Sequence, residues 1–243
     1  MNAVRWPFCI KAIVFFTLIF FIAYGAFFVS LYPVHQEAAV LHYLAWMIDV
    51  HDAIPYKDVF ETAFPGSLLF HIGIGHFLGY GDDAFRLVDI GWLVILMCIT
   101  WRIMRRIDST VAWITALGFG SLYFKAGASM TLQRDYVGIF PVALALLVVL
   151  QDQWYIQIRA ALLGVCYGVA ASMKPHLVIG APVMLWLLCF PTTGQTSFDI
   201  KKIIGVIAFC AIGFIAGFGL PVLWLLSRGA IPAFMDMLLH YMP

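Results

Sequence analysis

Ala12-Ile13-Val14-Phe15-Phe16-Thr17-Leu18-Ile19-Phe20-Phe21-Ile22-Ala23-Tyr24-Gly25-Ala26-Phe27-Phe28-Val29-Ser30-Leu31 contains no charged residue. As a helix rising about 1.5 Å per residue it would be about 30 Å long, the thickness of a bilayer's hydrocarbon core. Arg5 and Lys11 precede it, it is too long for a signal-peptide core, and no small-x-small cleavage site follows. The run reads as an uncleaved first membrane span. The rest of the chain agrees. Of 243 residues, 63% are hydrophobic and 11% charged, with a mean hydropathy of +0.96. Soluble domains carry about 45–50% apolar and about 25% charged residues. These values exclude a soluble enzyme, a nucleic-acid binder and a disordered regulator, and the net charge of +1 points to no acidic partner. The expected fold is an all-α polytopic membrane protein, with residues 1–243 forming a single transmembrane domain.

Seven stretches are long and apolar enough to be read as spans: about 10–32, 85–104, 110–127, 136–151, 159–173, 175–190 and 203–227. An eighth, Gly66 to Gly79, would be about 21 Å as a helix and favours a re-entrant or interfacial segment. Basic clusters favour the cytoplasmic side. With the N-terminus inside and 66–79 not crossing, Arg5, Lys11, Arg102, Arg105, Arg106, Arg159, Lys201 and Lys202 fall inside. The outer face receives only the isolated Lys57, Arg86, Lys125, Arg134, Lys174 and Arg228, together with 10 of the 13 acids. If 66–79 crossed, both basic clusters would move outside. The seven-span arrangement, with the N-terminus cytoplasmic, is therefore preferred.

Residues 33–84 then form the first outer loop, and 228–243 begin a second one that is expected to be cut short. Each contains a segment patterned like a helix lying in the interface. In the first, Val40, Leu41, Leu44, Met47 and Ile48 share a face, with His42 and Asp49 off it. In the second, Pro232 marks a helix start, and Ile231, Phe234, Leu238 and Tyr241 follow at helical spacing. The inner segment Pro191 to Lys202 is a turn-rich connection. Cys9, Cys98, Cys166, Cys189 and Cys210 lie in apolar runs without a CxxC pair and read as small buried hydrophobes.

Charge near membrane depth costs roughly 2.5–3.5 kcal/mol per group at a helix centre, so the outer polar residues call for explanation. They gather in three places: Glu37 with Asp49, Asp52, Lys57, Asp58 and Glu61 after span one; Gln133-Arg134-Asp135 before span four; and Lys174-Pro175-His176 between spans five and six. In an alternating bundle all three share one face, an arrangement suited to an activated nucleophile beside a bound phosphate. Each has a plainer reading: a solvated helix start for Glu37, a local cap for Arg134-Asp135, a snorkelling side chain for Lys174. His71 and His76, five apart, do not form an i, i+4 metal pair and read as polar packing groups. The other histidines (His35, His42, His51, His176, His240) make no metal constellation, and no Gly-rich phosphate loop, GxSxG or HExxH occurs.

Four segments in order resemble GT-C-type membrane glycosyltransferases, the superfamily of protein O-mannosyltransferases and the lipid A aminoarabinose transferase. Ala53-Ile54-Pro55-Tyr56-Lys57-Asp58-Val59-Phe60-Glu61-Thr62-Ala63-Phe64-Pro65-Gly66 is similar to the family's first outer-loop motif. Gly79-Tyr80-Gly81-Asp82-Asp83-Ala84-Phe85-Arg86-Leu87, Gln133-Arg134-Asp135 and Gly168-Val169-Ala170-Ala171-Ser172-Met173-Lys174-Pro175 follow in the family's order. The resemblance implies transfer of a sugar, hexosyl or pentosyl, from a polyprenyl-phosphate donor to a lipid, glycan or protein acceptor on the outer face, with inversion. Matching His42-Tyr43-Leu44-Ala45 to the family's aromatic-alanine helix places Glu37 at the catalytic acid, where the family usually has Asp. Asp135 matches the second outer-loop acid. The lysine common before the family's Pro-Gly is replaced around Ala63 and Phe64, so Lys57, Asp58, Arg134 and Lys174 are the candidates for donor and phosphate binding. No metal site is expected from the sequence, and the resemblance implies no certain cofactor while leaving room for a divalent cation. Full enzymes of this type continue past the seventh span. Two further readings therefore stand beside the enzyme: a non-catalytic membrane subunit or remnant of the fold, and a lipid-linked-sugar transporter, although broken helices and paired repeats are not evident in the sequence.

Overall fold

The computed structural model of the chain describes residues 8–31, 36–127, 130–190 and 200–242. Arg5, His35 and the connection over 191–199 lie outside them. The described residues are almost entirely helical and contain no strand. The order is α1 Phe8–Leu31, α2 Gln36–Val50, α3 Pro65–Leu78, α4 Asp82–Met104, α5 Ser109–Ala126, α6 Arg134–Val149, α7 Ile156–Met173, a 3₁₀ helix Pro175–Gly180, α8 Ala181–Cys189, α9 Ile200–Ser227 and α10 Ile231–His240. Four of these have both the length and the apolar content to cross a bilayer: Cys9–Val29 within α1, then α4, α7 and α9. The expected fold class is thus met as an all-helical chain with membrane-spanning helices. α5, α6 and the Pro175–Cys189 segment are shorter or less apolar, and length and composition alone qualify four helices among the described residues.

Contacts sort the helix ends into two sets. At one end Lys11 donates to Thr110 Oγ1 (3.4 Å), Trp101 meets Trp113 (5.7 Å between ring centres), and Asp152 pairs with Arg106 (3.8 Å) and Arg159 (3.3 Å). This basic end gathers the start of α1, the end of α4, the start of α5, the end of α6 and the start of α7. At the other end lie the start of α4, the end of α5, the start of α6 and the ends of α7 and α9, covered by α2, α3 and α10. Local sequence sets several of these ends. Asp108 accepts from the N–H groups of Thr110 (2.7 Å) and Val111 (3.1 Å), capping α5. Asp82 and Asp83 occupy the first turn of α4 and Asp135 that of α6, where the helix dipole favours them.

The stretch 175–190 departs from the expected single span. Pro175 opens a 3₁₀ turn, and Pro182 sits in the first turn of α8. A proline lacks the N–H that an α-helix needs beyond its first turn, so the two prolines break the segment in two. α7 and α9, by contrast, lie backbone to backbone. A Cβ added at Gly164 or Gly168 would strike the carbonyl oxygens of Cys210 or Phe214, and one at Gly213 or Gly217 those of Ala161 or Val165. Two G-x-x-x-G patterns therefore face each other along parallel helices, the small-residue packing by which helices approach closely in lipid.

Helices form at both segments patterned as interfacial, with altered faces. On α2, Leu41, Leu44 and Ile48 are buried against Leu225, Ala230, Phe234 and Met237, as the spacing requires. Val40 is exposed, while His42 is buried, because α3 and the start of α4 cover α2's other flank with His71, Tyr80 and Phe85. In α10 the buried residues are Phe234 and Met237, and Tyr241 is exposed against Phe60. α3 has 14 residues, stops at Gly79 with φ of 97°, and does not qualify as a span. Its start is pressed onto the end of α7: Gly66 abuts the Ser172 backbone, and Ser67 Oγ donates to the Met173 carbonyl (3.3 Å).

Candidate functional site

Three segments distant in sequence meet at the end opposite the basic one. Arg134, first residue of α6, forms an ion pair through Nε with Glu37 Oε1 in the first turn of α2. Asp135, next in α6, forms an ion pair with Lys174 Nζ at the close of α7, and His176 Nε2 lies 4.0 Å from the same carboxylate oxygen. Glu37, Arg134 and Lys174 are partly buried, while Asp135 and His176 are more than half exposed. Four of the six candidate residues thus form one patch of alternating charge, open to solvent along Asp135.

Lys57 and Asp58 do not join the ion pairs. Asp58 Oδ2 accepts from the N–H of Ile54 (2.8 Å), closing the turn beside the Pro55–Val59 bridge, and Lys57 is exposed on that turn. Glu61 also serves the loop backbone: one oxygen gathers the N–H groups of Thr62 (2.7 Å) and Ala63 (3.1 Å). Tyr56 is the residue this bracing holds. It is buried with φ of 64°, donates to the Ala63 carbonyl (2.7 Å), and packs on Phe234 of α10 (5.0 Å). Burial pushes its hydroxyl above the ordinary value, Glu61 adds to this, and Arg134 opposes it, which places the tyrosine in the field of the site arginine. Asp52 pairs with Arg228 (3.2 Å) and clips the loop to the end of α9.

A second polar cluster lies directly beneath the Arg134-Asp135 turn and was missed in the sequence reading. Asp89, fully buried in α4, accepts a hydrogen bond from the Tyr123 hydroxyl and lies 3.9 Å from Arg86, while Tyr136 stacks on Tyr123 (4.6 Å). The backbone of Leu132 is a hydrogen-bond partner of both Asp89 and His71. Leu132 is fully buried with φ of 45°, a conformation that a β-carbon disfavours. Two buried side chains therefore hold a strained turn two residues before Arg134. The signal available in the sequence was an aspartate inside an apolar span, which by itself marks a position worth questioning. Its partner Tyr123 is 34 residues away, and nothing local connects them.

Among the described residues no group of three or more His, Cys, Asp or Glu side chains is placed to hold a metal ion. His71 is buried under Phe85, and His76 pairs with Asp49 (3.4 Å). No protein-family model matches the chain, and neither a curated protein nor a solved structure matches it.

Proposed function

We propose that the chain is a membrane glycosyltransferase that moves a sugar from a polyprenyl-phosphate donor to an acceptor at the outer face of the membrane. The observation that carries this reading is the meeting of Glu37–Arg134 with Asp135–Lys174 at one end of the bundle. It supplies a carboxylate able to accept a proton and two cations able to receive a phosphate, within one patch. In this reading the seven apolar stretches all cross. The end bearing Lys11, Arg106 and Arg159 faces the cytoplasm, as the placement of basic clusters favours.

The reaction follows from which partner each group gives up. A donor phosphate competes with Glu37 for Arg134 and with Asp135 for Lys174, because a phosphate oxygen is as good an acceptor for these cations as a carboxylate. Arg134 then faces the leaving group, and Glu37 is released as a base. Glu37 takes the proton from the acceptor hydroxyl or amine as that atom attacks the anomeric carbon. The bond from that carbon to the phosphate oxygen breaks, and the new charge on the polyprenyl phosphate is held by Arg134 and Lys174. Attack opposite the leaving group inverts the anomeric centre. Asp135, exposed between Lys174 and His176, orients Lys174 or the acceptor.

The test is incubation of the purified chain with a panel of radiolabelled polyprenyl-phosphate sugars in membranes containing lipid, glycan and peptide acceptors. Transfer of label from at least one donor supports the reading. No transfer from any donor favours the second reading, a non-catalytic module in which the two mutually neutralised pairs serve as a clamp between α2, α6 and α7.

A further inference from the structure

The flank of α2 that faces away from the α9–α10 core borders a separate cleft of about 420 Å³. Ala39, His42, Tyr43 and Trp46 line it at i, i+3, i+4 and i+7, and Tyr80, between α3 and α4, and Asp82, the first residue of α4, complete it. None of these residues belongs to the ion-pair patch. His42 is 7% exposed; the Tyr80 backbone is a hydrogen-bond partner of its ring, and the ring's other nitrogen has no partner among the described residues. Buried polar atoms left in this state are uncommon and mark a missing partner.

The lining specifies what that partner offers. Burial holds His42 below the ordinary histidine range, so at neutral pH it presents one bare nitrogen as an acceptor. Asp82 is the one charged residue among the described residues lining the cleft, and its carboxylate also only accepts. The Tyr80 hydroxyl is committed to Asp49 Oδ2 (3.0 Å) and is not available as a donor. Tyr43 and Trp46 present π-systems with their ring centres 5.8 Å apart, and the Tyr80 ring lies 5.2 Å from that of His42. Aromatic faces attract cations. The cleft therefore offers acceptors and negative potential, with no cationic side chain for an anion among the described residues that line it.

We propose that this cleft binds a primary ammonium group, with its N–H bonds directed to His42 and Asp82 and its charge against Trp46 and Tyr43. A quaternary ammonium would satisfy the rings but leave His42 unpaired. A neutral sugar could donate its hydroxyls to the same acceptors but would bring no charge to Asp82 or to the ring faces. The ammonium could belong to a lipid headgroup or to a soluble amine, and the chemistry is the same for both. The inference stands without the transferase reading, since it uses none of the residues assigned to transfer.

The full-length protein in detergent is titrated with ethanolamine, choline and glucose while tryptophan fluorescence is followed. Nanodiscs of phosphatidylethanolamine or phosphatidylcholine are then compared by native mass spectrometry for lipid retained on the protein. Ethanolamine is expected to saturate at about tenfold lower concentration than choline, and His42→Phe and Asp82→Asn should each weaken it about tenfold, as loss of one charge-assisted contact implies. His42→Gln, which keeps an acceptor, should retain most of the binding, and Asp82→Asn alters an exposed residue and so leaves folding intact. Selective retention of phosphatidylethanolamine assigns a lipid headgroup. Ethanolamine binding without lipid selectivity assigns a soluble amine, and both outcomes support the site. Equal affinity for choline, binding of glucose but not ethanolamine, absence of ethanolamine binding, or ethanolamine binding unchanged by Asp82→Asn would each overturn the proposal.

Discussion

Two acid–base clusters lie at the same end of the bundle, and their surroundings set them apart. Arg86, Asp89, Tyr123 and Tyr136 are sealed among apolar side chains, with Asp89 at 0% exposure. Glu37, Arg134, Asp135 and Lys174 stand at the rim, with Asp135 at 53%. A sealed pair cannot exchange its partner for a ligand, and its charges are costly to separate. A rim pair costs little to open, because water screens it. The deep cluster therefore holds the turn at Leu132, and the rim cluster that this turn aims is free to meet a substrate.

The largest expected effect tests the sealed side. Asp89→Leu leaves the buried Arg86 without its carboxylate and should lower stability by about 3–5 kcal/mol, read as a fall in the thermal transition of the detergent-solubilised protein. A loss below about 1 kcal/mol, the range of surface pairs, would mean that the two clusters do not differ as described. Next comes Gly213→Leu, which touches neither cluster but forces α9 off the Ala161 carbonyl; overpacking of this kind costs about 1–3 kcal/mol. It should also disturb Lys174, which α7 carries, so any donor binding would weaken with it. A melt equal to wild type would contradict the close backbone approach.

Acid provides a third comparison. Burial pushes His71 down to about 3, so the folded protein holds it neutral while the unfolded chain protonates near pH 6.5. The folded-state value is depressed and the group is a base. Its contribution is therefore present above the unfolded value and is lost as pH falls from about 6.5 toward 3. Between pH 7 and 5 the loss should be about 2 kcal/mol, and His71→Phe should flatten that slope. An unchanged slope would place the acid sensitivity elsewhere. The smallest stability effect is expected for Lys174→Met, within about 1 kcal/mol, since its partner Asp135 stays solvated.

Much of this end of the molecule could be read before any coordinates. The apolar runs located the long helices, and counting where isolated basic residues fell brought Glu37, Arg134, Asp135 and Lys174 to one face. That succeeded because each residue sits at a helix terminus, and alternation of direction fixes which end a terminus occupies. Lys57 and Asp58 share the loop motif yet face the loop's own backbone, and nothing in their spacing reveals this. His42 lies off the apolar stripe of α2, yet it is buried because α3 and α4 fold over that flank. The Asp89–Tyr123 bond joins helices whose register depends on packing, which periodicity does not report. The break at Pro175 and Pro182 was visible as two prolines but was absorbed into an apolar run. The paired Gly-x-x-x-Gly patterns were present as frequent glycines, and their meaning depended on α7 and α9 being neighbours.

The central claim is that the rim cluster performs transfer and that Glu37 is its base. It is tested most directly by comparing wild type with Glu37→Gln in membranes supplied with the donor that wild type uses. Glutamine keeps the size and a hydrogen bond to Arg134 but cannot take a proton at neutral pH. Transfer should fall by about 10²–10⁴-fold, the contribution typical of a positioned base, while the thermal transition stays within about 1 kcal/mol of wild type. Full transfer by Glu37→Gln would contradict the account.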